Sequence, residues 1–158
     1  MPVTAHFLAY LFPALHWLAV SERGVAVWAC MVFAFVVVPL LDQVATPERR
    51  DPSPGPHRRL FDLPLVPWLF LETWLLAFTL QAVTEAAPAG AMECFALAFS
   101  TALVTGAGGI TIAHELMHRR EAWARAMAEV LMSLTLYGHF VIEHVHGHHR
   151  HVATPRDP

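Results

Sequence analysis

A chain of 158 residues that is 56% hydrophobic and only 15% charged, with a mean hydropathy of +0.46, is too apolar for a soluble domain, whose apolar share is nearer about 45–50%. All ten basic residues are arginines and the formal net charge is -3, so neither a basic nucleic-acid stripe nor a solvating acidic tail is present. The charges are bunched between long apolar runs, and the expected class is an all-α, polytopic membrane helical bundle.

Met1–Ala5 lacks the basic region of a cleavable signal, so the first apolar run is expected to stay in the mature protein. Four runs stand out, Ala5–Val20, Gly24–Leu41, Pro64–Val83 and Ala91–Ala113. A bilayer core of ~30 Å needs about 20 helical residues; the last two runs fit it well, and the first is shorter and contains Pro13. Four transmembrane helices are nevertheless expected. Ser21–Gly24 reads as a tight turn that makes residues 5–41 a helical hairpin, and residues 64–113 form a second. Between them lies a loop over 42–63, where Pro47, Pro52, Pro54 and Pro56 stop any helix and Arg49, Arg50, Arg58 and Arg59 place it on the cytoplasmic side. The N-terminus and the region 114–158, with Arg119, Arg120, Arg125, Arg150 and Arg156, then fall on that same side.

Smaller features have plain readings. Cys30 and Cys94 lie inside apolar runs and suggest no disulfide. Glu72, deep in the third run, reads as a helix-pairing polar group, and Gly106, Gly108 and Gly109 as sites of close helix packing rather than a phosphate loop. Ala122–Glu143 is long enough to cross but holds Arg125, Glu129 and His139, each costly at a span centre, so an interfacial or re-entrant helix is expected. A full crossing would also part the histidines before it from those after it.

Eight of the eleven histidines lie between His114 and His151. His114 and His118 of HELMH are four residues apart, which stacks both imidazoles on one helix face. In EHVHGHH the spacing recurs between His144 and His148, with His149 adjacent. Five imidazoles exceed one tetrahedral zinc site, so two metals are the economical reading. His6, His16 and His57 read as polar anchors at the membrane surface, His139 as a group that could orient a ligand, and His146 as solvated, with His151 between these cases. HELMH also satisfies HExxH, the zinc-protease signature; the extended form fails because Glu121 and Ala124 stand where glycine and a third histidine are needed.

HELMHRR, GHFVIEHVHGHH and VATPRDP, in this order, resemble the first two histidine boxes of the bacterial alkane monooxygenases and xylene-type hydroxylases of the fatty-acid-desaturase-like membrane superfamily, and PLLD at Pro39–Asp42 is similar too. The resemblance implies a non-haem centre of two iron ions with His114, His118, His144, His148 and His149 as ligands, serving terminal hydroxylation of alkane C–H bonds with molecular oxygen. It implies residence in the bacterial inner membrane and electron supply from rubredoxin and rubredoxin reductase; the chain has no haem CxxCH, iron–sulfur cysteine pattern or GxGxxG of its own. Val145, where the family often has asparagine, and the apolar Thr111–Ala113 lead-in are departures that bear on substrate identity. The family pattern continues through further spans to another histidine-rich box, so the chain is expected to be an N-terminal part, inactive by itself. The alternatives are a fatty-acid desaturase or xylene-type hydroxylase, an intramembrane zinc protease, and a membrane protein with surface histidines and no enzymatic role.

Overall fold

The computed structural model describes residues 6–44 and 62–157, which form helices and turns and, among the described residues, no strand. Most of the proline-rich loop expected over 42–63, with His57, lies outside the described residues. The all-α membrane bundle expected from hydropathy is what the chain forms, in two compact units, Met1–Val104 and Thr105–Pro158.

Among the described residues three helices are long and apolar enough to cross a bilayer: α2 (Gly24–Val44), α3 (Val66–Glu85) and α4 (Ala91–Met117). Of the first expected span, the described residues form a 3-10 turn over Phe7–Tyr10 that runs into α1 (Leu11–Glu22). Pro13 falls in the first turn of α1, where a missing N–H removes no i→i−4 bond, so the proline opens this helix instead of breaking it.

In the first unit the turn from α1 to α2 passes through Arg23 and Gly24, both at positive φ (57° and 51°). The Arg23 guanidinium donates to the carbonyls of Val20 (3.1 Å), Ala82 (3.0 Å) and Ala86 (3.3 Å), so one cation satisfies the C-terminal ends of α1 and α3. Ala19, Val20, Val27, Ala96 and Leu97 form one core cluster, with Trp28 and Phe78 packed on it; the small residues let helix backbones approach closely. Large apolar side chains such as Phe35, Leu40, Phe70 and Leu80 face outward, which suits lipid as the surrounding solvent.

Two polar expectations change here. His16 is not a surface anchor: it is 1% exposed, with Nδ1 2.8 Å from Ser100 Oγ and Nε2 2.8 Å from Thr79 Oγ1. Because the Thr79 hydroxyl donates to Leu75 O at 2.7 Å, it accepts from His16 Nε2–H, and Nδ1 accepts from Ser100. His16 thus joins α1 to α3 and α4. Glu72, read from sequence as pairing helices, instead accepts from Trp68 Nε1 (2.9 Å) one turn earlier on its own helix. Cys30 and Cys94 are both free thiols.

In the second unit α4 ends with Ala113, Leu116 and Met117 buried, packed against α5 (Ala122–Leu134), whose Ala124, Ala128, Leu131 and Met132 make one apolar stripe. The single helix expected over Ala122–Glu143 is broken. After α5 the Leu136 N–H bonds to Ser133 O (3.0 Å) and the Tyr137 N–H to Met132 O (2.8 Å), a Schellman ending with Leu136 at φ 59° where glycine is usual. A Cβ at Gly138 would lie 3.0 Å from Ser133 Oγ, so the chain turns tightly before α6 (residues 140–151). Gly108 and Gly109 are buried as close packing requires, whereas a Cβ at Gly106 would meet nothing within 4 Å, so that part of the reading fails.

Candidate metal centre

His114 lies in the last turn of α4 and His118 caps its C-terminal end, and the four-residue spacing brings their rings to 4.8 Å and their Nε2 atoms to 3.4 Å. The second histidine group behaves differently, because Glu143–His148 winds as a π-helix. In an α-helix the fifth residue on lies about 140° around the axis, but a wide i→i+5 turn brings it back over the first. His149 therefore meets His144 with Nε2 atoms 3.0 Å apart, while His148, four residues on, stacks beside the His144 ring at 5.5 Å.

His144 Nε2 also lies 2.8 Å from His114 Nε2, and the His118 and His149 rings meet at 4.7 Å. The ligating atoms of His114, His118 and His144 all fall within 4.8 Å of one another. A metal–imidazole bond of about 2.1 Å places neighbouring ligand nitrogens about 3.0–3.4 Å apart. The separations of 3.0 and 3.4 Å fall in that range, and the 2.8 Å between His114 and His144 lies just below it. Loss of solvation, reinforced by the facing His114 and His149 rings, holds the His118 and His144 imidazoles below their ordinary pKa, which favours the neutral form that ligates metals. The Phe140 ring stacks on His144 at 4.7 Å and limits its rotation.

Of the five histidines expected as ligands, His114, His118, His144 and His149 turn Nε2 atoms or rings toward a common point. His148 stands at their side, its Nδ1 2.9 Å and 3.1 Å from the two carboxylate oxygens of Asp157. Asp157, the next-to-last residue of VATPRDP, carries no signal of this pairing in the sequence, because nine residues separate it from His148. His139 lies 3.9 Å from Glu143 and against the Tyr137 ring, so it addresses a carboxylate that is itself more than half exposed. His146 is exposed. Glu115, the would-be base of a protease, is largely exposed and pairs with Arg119 at 3.3 Å.

Residues 91–158 match the model of the fatty acid desaturase family. The chain is 33% identical to alkane 1-monooxygenase 1 of Alcanivorax borkumensis over 145 residues, 88% of this chain and 36% of that protein. It is 32% identical to alkane 1-monooxygenase 1 of Pseudomonas aeruginosa, over 95% of this chain and 41% of that protein. A shorter alignment with the alkane 1-monooxygenase of Pseudomonas putida reaches 50% identity over 66 residues, 42% of this chain and 16% of that protein. The chain thus spans roughly two-fifths or less of the length of these relatives.

Proposed function

We propose, from the premise that the chain belongs to the alkane monooxygenase family, that its histidine cluster holds non-haem iron for hydroxylation of hydrocarbon C–H bonds. What carries the reading is the gathering of imidazole nitrogens from α4 and α6 at separations suited to one coordination sphere. His114, His118, His144 and His149 would bind through these nitrogens, with His148 completing a set that serves two irons. Bound iron supplies activation of oxygen, and the resemblance assigns the electrons to rubredoxin and its reductase.

The chain's own part is to bind and orient. Phe140 fixes the His144 ring plane, and the apolar faces of α2, α3 and α4 keep the protein in lipid, where an alkane concentrates. The arginine distribution supports a bacterial inner-membrane location with the N-terminus and the histidine region on the cytoplasmic face. A zinc protease is not favoured, since Glu115 is committed to Arg119 and the second histidine group would have no role.

The test is to purify from membranes a full-length protein that carries this chain, with its His114→Ala and His144→Ala variants, measure iron and zinc by mass spectrometry, and assay alkane conversion by gas chromatography. Iron held by the parent and lost in both variants, with terminal alcohol as product, is the expected result. Zinc in place of iron, or iron content indifferent to both substitutions, overturns the proposal; an alkene product moves it to a desaturase.

A further inference from the structure

Residues 152–157 follow α6 as a compact return. Ala153 at φ 62° reverses the chain, Thr154 donates to His151 O through both N–H (2.9 Å) and Oγ1 (2.6 Å), Arg156 N–H donates to Thr154 Oγ1 (3.3 Å), and Asp157 N–H donates to Thr154 O (3.1 Å). Pro155 sits inside this turn, where its fixed φ holds the bend. The outcome of all these bonds is the placement of one carboxylate: both oxygens of Asp157 face His148 Nδ1, and the Asp157 side chain is only 24% exposed.

We infer that Asp157 is a positioning residue that holds the His148 proton on Nδ1 and thereby presents Nε2 as the free lone pair for metal. An ionised carboxylate only accepts hydrogen bonds, so the ring nitrogen facing it must be the donor. A neutral imidazole that donates from Nδ1 has its remaining lone pair on Nε2, the atom through which His114, His118, His144 and His149 approach one another. The same contact fixes the ring plane and makes the ligating nitrogen more basic. His148 needs this support more than its neighbours do. Its ring lies 5.5 Å from His144 and 5.6 Å from His149, at the edge of the cluster, and its side chain is 44% exposed. Left to solvent, an imidazole favours the opposite tautomer, with its proton on Nε2 and its lone pair on the wrong atom. The metal-directed half of this inference rests on the proposed function; the tautomer does not.

Nitrogen-15 spectroscopy of histidine-labelled, metal-free protein in lipid, with His148 assigned by comparison with His148→Ala, reads the tautomer directly. The parent and Asp157→Asn, whose amide oxygen still accepts, are expected to show Nδ1–H, and Asp157→Leu to show mainly Nε2–H. Iron retention under anaerobic dialysis is then expected to fall about 10- to 100-fold in Asp157→Leu and by less in Asp157→Asn. Nε2–H in the parent, or an unchanged tautomer in Asp157→Leu, overturns the assignment, and the parent spectrum decides it even if the leucine variant misfolds. A changed tautomer with undiminished iron, while His114→Ala loses iron, removes the metal-directed half and leaves the proposed function standing. Indifference of iron to His114→Ala removes the proposed function but leaves the tautomer result intact.

Discussion

His16 in the first unit and His144 in the second are the same side chain in opposite conditions. His16 is 1% exposed and has both ring nitrogens bonded to hydroxyls, the donor to Thr79 and the acceptor to Ser100, so its hydrogen-bonding capacity is complete. His144 is partly exposed and meets other imidazoles, with Nε2 facing Nε2 at 2.8 Å and 3.0 Å. Ring nitrogens that converge without a hydroxyl or carbonyl between them are what a cation between them would satisfy. The difference teaches that the partner's chemistry, not burial, separates a structural histidine from a ligating one. The elements around each histidine supply the distinction: α3 and α4 offer hydroxyls at the level of His16, and the π turn of α6 offers a second imidazole to His144.

The largest effects come from substituting each member of the contrast. His144→Ala is expected to lower iron retention at least about 10-fold, while the thermal midpoint moves little because surface-side substitutions change stability within about 0.5 kcal/mol. His16→Leu is expected to do the reverse. It strands the Ser100 hydroxyl and removes two interhelical bonds, a loss of about 1–3 kcal/mol in unfolding free energy, with iron per folded molecule unchanged. Denaturant titration in micelles alongside metal analysis reads both. A His16→Leu protein that is fully stable but iron-poor would invert the comparison.

That contrast was only partly legible in the sequence. Hydropathy alone found α2, α3 and α4, because the length of an apolar run is a direct measure of what can span lipid. It missed His16 because the evidence lay in Thr79 and Ser100, polar residues 63 and 84 positions away in other apolar runs. At the site, HELMH was readable because α-helical spacing governs it, whereas the His144–His149 meeting depends on a π turn that no four-residue rule anticipates. The break after α5 was hidden for a related reason: Leu136, an apolar residue, occupies the left-handed position that glycine would have announced.

Leu136 offers the smallest and sharpest test of how the second unit places its histidines. Its backbone sits at φ 59° with its side chain 91% exposed, so the Schellman turn carries a steric cost of about 1 kcal/mol with no burial to offset it. The turn links α5 to the helix that bears His144, His148 and His149, and its hydrogen bonds come from backbone groups that any residue provides. Leu136→Gly is therefore expected to raise unfolding free energy by up to about 1 kcal/mol, less whatever glycine's greater freedom in the unfolded chain takes back, and to leave iron retention unchanged. A gain in stability accompanied by weaker iron retention would mean that leucine's strained turn sets the approach of α6, so that the second unit, unlike the first, holds its histidines at the expense of stability. Unchanged retention would instead assign their placement to the π turn and to side-chain packing, with the Phe140 ring against His144 as the next contact to remove.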